Sequence, residues 1–74
     1  MAHERIHQDP EIMGGKPVIK GTRISVEHIL RECAAGVSVE EYVEQHSHVT
    51  VEDVRAALAY AADQMRSHRT HAAE

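Results

Sequence analysis

The chain has 74 residues, 42% of them hydrophobic, and a formal net charge of −4 at pH 7. Ten of the hydrophobic residues are alanines, only two are leucines, and there is neither Phe nor Trp, so one chain can form only a thin core. A domain of this size buries about 60% of the surface that its unfolded chain exposes. These quantities exclude a two-domain enzyme and a substrate cavity enclosed by a single chain, and they favour a dimer or a partner that completes the core.

The composition also indicates in which cellular compartment the protein lies and whether it is an enzyme. A single cysteine, Cys33, cannot form a disulfide within the chain, and the first ten residues lack the apolar stretch of a signal peptide. Every apolar run is far shorter than the roughly 20 residues that a membrane span needs. We therefore expect a cytoplasmic protein with no membrane partner. Because Cys33 falls in the apolar stripe of a predicted helix, we expect an inert buried thiol. No carboxylate pair has an evident enclosed cleft in so small a chain, so we expect no catalytic residues and no enzymatic activity.

The first third of the chain, residues 1–24, carries both prolines and three of the four glycines, which is typical of short strands and turns. The predicted strand segments are the apolar pairs Ile12–Met13 and Val18–Ile19, and the predicted turns are Asp9–Pro10 and Gly14–Gly15. This third holds four cations and three anions, a net charge of +1. Because nucleic-acid affinity depends on Lys and Arg, a phosphate-binding surface is more natural here than elsewhere in the chain.

Two helices are predicted next, joined by a short bend over residues 35–38 that is typical of a helix-turn-helix connection. Ser25 is the predicted N-cap of the first helix, and Gly36 is placed to end it. Its apolar positions recur at i, i+3, i+4 and i+7, namely Val26, Ile29, Leu30 and Cys33. Ser38 and Glu41 form the capping box that starts the second helix. Its apolar positions are Val39, Tyr42, Val43 and His46.

A third and longest helix is predicted to begin at Thr50 and Asp53 and to extend to residues 66–68. Its apolar stripe is Val51, Val54, Leu58, Ala61 or Ala62, and Met65. The predicted fold is therefore mainly α, with short N-terminal β-strands followed by a three-helix helix-turn-helix unit, and we expect it to be dimeric. One domain would span residues 1–74, divided into a strand and turn arm (1–24), three helices (25–68) and a tail (69–74).

Two routes to DNA are open in this fold. The second predicted helix carries Glu40, Glu41 and Glu44 and no Lys or Arg, so base recognition by that helix is disfavoured. The other route uses basic and polar side chains among turn glycines whose amides can approach phosphates, and its candidates are Lys16, Lys20, Thr22 and Arg23. An equally weighted alternative makes Gly21, Thr22 and Arg23 a structural turn, with Arg23 paired to a helix carboxylate.

Seven histidines raise the question of a metal site. His46 lies close to His48 in the sequence and His68 lies close to His71, but neither pair is accompanied by a cysteine pair or an evident third ligand. We therefore expect no metal and no other cofactor.

The segment GGKPVIKGTRI over residues 14–24, together with the helical half, resembles domain-of-unknown-function family 433, small bacterial proteins grouped with helix-turn-helix folds and regarded as VapB-like antitoxins. The matching positions are Asp9-Pro10, Gly14-Gly15-Lys16-Pro17-Val18-Ile19, Gly21-Thr22-Arg23-Ile24, Val26, Ala35-Gly36, Ser38, Glu41, Thr50, Glu52-Asp53-Val54, Ala56-Ala57-Leu58 and Tyr60-Ala61. They run from about Ile6 to Ala62. The chain departs from the family at His46-Ser47, where members often have Tyr-Pro.

The resemblance implies an antitoxin of a type II toxin-antitoxin system. Such a protein would neutralise a PIN-like ribonuclease toxin by direct binding and would repress its own operon as a homodimer on operator DNA. Leu58, Tyr60 and Met65 in the third helix are the candidates for contact with a second copy or with the toxin. The alternative is a protein-interaction module that binds a partner protein without binding DNA, and the acidic second helix favours it.

Overall fold

The computed structural model describes residues 3–67 of the chain. Along the sequence it contains strands β1 (Ile6–His7) and β2 (Val18–Ile19), and helices α1 (Val26–Ala34), α2 (Val39–Gln45) and α3 (Val51–Ser67). The mainly helical fold class, with a short N-terminal β segment and three helices, is confirmed. Within the described residues no helix has the length and hydropathy to cross a membrane. The predicted tail (69–74) and the extension of the third helix to His68 lie outside the described residues.

The two strands form an antiparallel sheet in which Ile6 pairs with Ile19 and His7 pairs with Val18. β2 is fully covered, since both of its side chains are buried, and it belongs to the core although it has only two residues. The amide of Ile19 donates a hydrogen bond to the carbonyl of Ile24 at 2.9 Å. The sheet therefore holds the loop between β2 and α1 against the body of the domain.

The strand prediction is correct for Val18–Ile19 and wrong for Ile12–Met13. Met13–Gly15 forms a single 3₁₀ turn, and all three of its residues have positive φ, with Met13 at 54°. Strands require negative φ, so this segment cannot extend into a sheet. The first strand is Ile6–His7 instead, a pair too short to show the alternation by which a strand is recognised from sequence.

Each helix begins at the capping residues that the sequence predicts. The Ser25 hydroxyl accepts a hydrogen bond from the amide three residues later at 3.0 Å. Ser38 and Glu41 form the reciprocal capping box, with distances of 3.1 and 2.8 Å. At α3 the Thr50 amide donates to the Asp53 carboxylate at 3.0 Å, and the Asp53 amide donates to the Thr50 hydroxyl at 3.1 Å. These local contacts satisfy amides that have no partner within the helix.

The bend between α1 and α2 depends on Gly36, whose φ of 105° favours glycine. The Gly36 amide donates to the carbonyl of Cys33, and the Val37 amide donates to the carbonyl of Glu32, each at 3.0 Å. This pair of bonds is a Schellman motif, which ends a helix and turns the chain away from its axis. The predicted end of the first helix is thereby confirmed.

The core lies between β2 and the inner faces of the three helices. Its buried hydrophobic residues are Val18, Ile19, Val26, Ile29, Tyr42, Val49, Val54 and Ala57. Two residues of the predicted apolar stripes lie at the surface instead: Leu30 is 37% exposed and Met65 is 73% exposed. On α3 the buried positions are Val54 and Ala57, whereas Leu58 is half-buried. A 17-residue helix is about 25 Å long, so its far end extends beyond the shorter α1 and α2.

Polar contacts fasten the N-terminal segment to α3 of the same chain. Nε2 of His3 donates to the Asp63 carboxylate at 2.7 Å, and the His3 and Tyr60 rings are nearly perpendicular, with 5.3 Å between ring centroids. The Arg5 guanidinium donates to the Asp53 carboxylate at 2.9 Å. The segment thus covers the helices of its own chain.

The Asp53 carboxyl makes the free energy of unfolding depend on pH. Its burial raises the pKa of the carboxyl, but hydrogen bonds from Thr50 and the Arg5 guanidinium outweigh that effect and hold the pKa below its ordinary value of 3.8. A carboxyl whose pKa is lower in the folded state stabilises the fold above pH 3.8, and this contribution is lost as the pH falls from there through the folded-state pKa.

We expect Asp53→Asn to reduce the free energy of unfolding at pH 7 by about 1–2 kcal/mol, because a cap and a charge-assisted hydrogen bond are weakened. The difference from the wild type should shrink at pH 3. Urea denaturation at both pH values measures it, with Glu52→Gln, an exposed carboxylate of the same helical turn, as the matched control. An equal loss in both variants would contradict this role for Asp53.

Candidate functional site

An open groove of about 380 Å³ lies between the 3₁₀ turn, the loop before α1 and the first half of α1. Its lining residues are Met13, Lys16, Arg23, Ile24, Ser25, Glu27, His28 and Arg31, and we refer to it as the basic groove. Three of these side chains are cations and one is a carboxylate, so the groove has a charge of +2 with His28 neutral. Positive charge is therefore concentrated here in a chain that is acidic as a whole.

Glu27 lies between two of the cations. Nζ of Lys16 donates to Oε1 of Glu27 at 3.0 Å, while Nε and Nη2 of Arg31 donate to Oε2 at 3.0 and 2.9 Å. The hydrogen bonds from Lys16 and then Arg31 hold the pKa of the Glu27 carboxyl below its usual range. All three side chains remain accessible to water, with exposed fractions of 54% for Lys16, 46% for Glu27 and 75% for Arg31.

Arg23, the third cation of the groove, is exposed and forms no ion pair with a carboxylate of residues 3–67. The pairing with a helix carboxylate that the structural-turn alternative supposes is therefore not among the contacts of the described residues. Arg23 instead lines the basic groove, as Lys16 and Arg31 do.

Thr22 has a different position from the basic residues around it. Its hydroxyl donates to the carbonyl of Ile19 at 2.8 Å and accepts from the amide of Ile24 at 3.0 Å. Gly21 has a φ of 82°, which lets the chain reverse at this point. These contacts give Thr22 a structural role, because its hydroxyl closes the turn that carries Arg23.

Lys20 lies apart from the basic groove. It lines a separate hollow of about 370 Å³ with Glu4, Arg5 and Asp53, where two cations meet two carboxylates. Asp53 already accepts a hydrogen bond from Arg5 there. The structure thus brings Lys16 and Arg23 together among the four predicted DNA-binding residues, and it places Lys20 elsewhere.

Sequence reasoning missed Arg31 and Glu27 as members of this site. Both belong to α1, which the sequence indicates through its capping residues and apolar positions and not through its charges. Their spacing of four residues is a signal that could have been used, since side chains at i and i+4 are neighbours on a helix. Nothing in the spacing, however, indicates that Lys16, 11 residues earlier, contacts the same carboxylate.

A second groove, of about 310 Å³, lies between α1 and the far end of α3. Its lining residues are Lys16, Pro17, Val26, Glu27, Leu30, Tyr60, Ala61, Gln64 and Met65, and we refer to it as the apolar groove. Two of the three predicted contact residues, Tyr60 and Met65, line it, and Leu58 does not. Lys16 and Glu27 line both grooves, so their ion pair forms the ridge between them.

Histidines and a tyrosine cluster where α1 meets α2. The Tyr42 hydroxyl donates to Nδ1 of His28 at 2.7 Å in the Nε2-protonated tautomer, and Nδ1 of His46 donates to the Tyr42 carbonyl at 3.0 Å. The Tyr42 and His46 rings are stacked at 4.1 Å. Within residues 3–67 no three His, Cys, Asp or Glu side chains are grouped so as to hold a metal ion. His68 and His71 lie outside the described residues.

Comparisons with known proteins agree with the resemblance found in the sequence. The model of a family described as "Protein of unknown function (DUF433)" matches residues 6–61. The uncharacterized protein y4eO of Sinorhizobium fredii is 39% identical over 69 residues, which are 92% of this chain and 31% of that protein. The chain thus spans less than a third of that relative's length.

A crystal structure of a DUF433 member from Anabaena variabilis has the same fold, with a TM-score of 0.79 and 27% sequence identity. The superposition covers 85% of this chain and 62% of that one. The extent of the family match and the shared fold together lead to one conclusion: this chain belongs to the DUF433 family.

Proposed function

We propose that this protein is an antitoxin-like DNA-binding regulator of a type II toxin-antitoxin system. It would repress its own operon as a homodimer and neutralise a PIN-like ribonuclease toxin by direct contact. The observation that carries the DNA-binding part is the convergence of Lys16, Arg23 and Arg31 in one open groove of an acidic chain. The antitoxin part rests on the resemblance of the sequence to family 433, whose members are regarded as VapB-like antitoxins.

The chemistry of the basic groove supports contacts with the DNA backbone. Arginine and lysine release counterions when they neutralise phosphates, and the planar guanidinium can donate two parallel hydrogen bonds to phosphate oxygens. The groove also contains the first turn of α1, whose amides give that end of the helix a partial positive charge. A homodimer would present two such grooves, as a two-fold symmetric operator requires.

Binding of the wild-type protein to the DNA upstream of its own gene tests this proposal. Fluorescence anisotropy at several salt concentrations should give an affinity that falls steeply with salt. Three cations in each of two grooves correspond to a slope of roughly −5 in a plot of log K against log salt. A failure of the protein to bind this duplex at low salt would contradict the DNA-binding part.

The apolar groove supports the partner-binding part of the proposal. Met65 and Leu30 are exposed at its edge and Tyr60 lies in its wall, so a second copy or the toxin would cover hydrophobic surface there. In a symmetric dimer each chain would place the same surface against its own copy.

We expect Met65→Lys to weaken self-association at least tenfold, about 1.4 kcal/mol, because a charge would be buried in an apolar contact. Sedimentation equilibrium measures the dissociation constant. Ala59→Lys adds the same charge at an exposed position of the same helix that does not line the groove, and serves as the control. If both variants dimerise like the wild type, the apolar groove is not the dimer contact.

The second candidate function is a protein-interaction module that never binds DNA. It is favoured by the acidic α2 and by the net charge of −4, which oppose binding to a polyanion but would suit a basic partner surface. Co-purification with the product of the neighbouring gene, in the absence of any shift of promoter DNA, would select this function.

A further inference from the structure

We propose that the basic groove is a binding site for a single phosphate group, and that the Glu27 carboxylate occupies the position of that phosphate when the groove is empty. This inference rests on the proposed function, because it takes the phosphate of a nucleic-acid backbone as the natural ligand. It goes further by identifying the donors of one site and an internal competitor for them.

The contacts of Glu27 are those that a phosphate would receive. One carboxylate oxygen accepts from Nζ of Lys16 at 3.0 Å, and the other accepts two bonds from the side of the Arg31 guanidinium, at 2.9 and 3.0 Å. Arginine uses this same fork of donors for carboxylates and phosphates. The two cations are therefore already held at positions from which they can contact an oxyanion.

Glu27 neutralises only part of the positive charge of the basic groove. Its single negative charge is paired with Lys16 and Arg31. Arg23, the third cation that lines the groove, forms no ion pair with a carboxylate of the described residues. A phosphate has more acceptor oxygens than a carboxylate, and it can contact Arg23 in addition to Lys16 and Arg31. The excess of positive charge thus favours exchange of the carboxylate for a phosphate.

The exchange requires little rearrangement of the fold. The Glu27 side chain is 46% exposed and lies on the first turn of α1, so its carboxylate can rotate into water while the helix stays in place. Ion pairs between side chains this exposed contribute little to stability, because water competes for both partners. Glu27 therefore weakens phosphate binding without being needed for folding.

The hollow lined by Lys20 also contains two cations, but it does not share these properties. There, Arg5 and Lys20 are matched by Glu4 and Asp53, and Asp53 is held by Arg5 and by the cap of α3. Displacing Asp53 would disrupt the start of a helix. The exchangeable carboxylate is therefore a property of the basic groove.

The test compares the wild type with Glu27→Gln and with the control Glu44→Gln. Both substitutions remove one negative charge, but Glu44 lies on the exposed side of α2 and does not line the groove. Each protein is titrated with inorganic phosphate, and NMR follows the Nε–H signals of Arg23 and Arg31. We expect Glu27→Gln to bind phosphate at least tenfold more tightly than the wild type, and Glu44→Gln to bind within twofold of the wild type.

The same three proteins are then titrated with a short DNA duplex. Comparison of the two titrations shows whether the site binds free phosphate only or also the phosphates of a DNA backbone. Tighter binding of both probes by Glu27→Gln supports a site for backbone phosphates. If Glu27→Gln binds inorganic phosphate more tightly while no variant binds the duplex, the phosphate site stands and the proposed function fails. If the wild type binds the duplex but Glu27→Gln gains affinity for neither probe, or gains no more than Glu44→Gln, the inference is overturned and the proposed function stands.

Discussion

Replacement of Tyr42 by alanine is expected to reduce the free energy of unfolding by about 3–5 kcal/mol, the range for removal of a large aromatic ring from a core. Tyr42 is the largest fully buried side chain, and it packs among residues of β2 and all three helices. Small domains have total stabilities near the low end of about 5–15 kcal/mol, so the variant should be largely unfolded at 37 °C. Urea denaturation followed by circular dichroism measures the loss.

Tyr60→Ala is the matched control for this substitution. The Tyr60 ring is half-buried, and its hydroxyl donates to the Gln8 side chain at 3.4 Å near the surface, so its removal leaves a smaller cavity. We expect a smaller loss of stability from Tyr60→Ala than from Tyr42→Ala. The opposite order would show that the core is centred at the far end of α3 and would contradict the packing described above.

The Tyr42 hydroxyl adds a pH dependence that Tyr42→Phe isolates. Burial, and then the negative charge of Glu32, raise the pKa of Tyr42 from 10.0 to about 12. The neutral phenol therefore stabilises the fold below pH 10, and that contribution is lost as the pH rises from 10 to about 12. Tyr42→Phe should lose about 1 kcal/mol at pH 7, from the hydrogen bond to His28, and should be less sensitive to alkali than the wild type.

The double variant Arg23→Ala/Arg31→Ala is expected to bind operator DNA about a hundredfold more weakly than the wild type, about 2.8 kcal/mol. Two of the three cations of the basic groove are removed, while Glu27 remains to repel phosphates. The slope of log K against log salt should become shallower by about 2 for each groove in contact with DNA. Anisotropy titrations at three salt concentrations measure both quantities.

Arg55→Ala/Arg66→Ala removes the same two charges from exposed positions of α3 that line neither groove. Its affinity should fall far less, and its salt slope should stay close to that of the wild type. Equal losses in the two double variants would mean that net charge alone governs binding. In that case the basic groove would not be the DNA contact.

The features that could be predicted from sequence are those set by local contacts. Ser25, Ser38 and Thr50 start helices through hydrogen bonds to residues three positions away, so their patterns can be recognised without a fold. Gly36 ends α1 for a reason that is equally local. The boundaries of the helices follow directly from these residues.

The candidate site could be predicted only in part, because it depends on tertiary contacts. The glycine-rich surroundings of Lys16 and Arg23 indicate these two residues from sequence, but Arg31 joins them only because β2 and the turn after it place the loop beside α1. Thr22 is also a predicted DNA contact, yet in the folded turn its hydroxyl forms hydrogen bonds with Ile19 and Ile24. Met65 falls on the apolar stripe of α3, yet it lies beyond the elements that would bury it.

DNA is expected to contact the basic groove and not the acidic α2. NMR shift changes on addition of operator duplex, measured at backbone amides and at the Nε–H signals of arginines, distinguish the two surfaces. We expect the largest changes at Lys16, Arg23 and Arg31 and small changes across residues 39–45. Largest changes within α2, or no changes in the groove at DNA concentrations that give a gel shift, would contradict it.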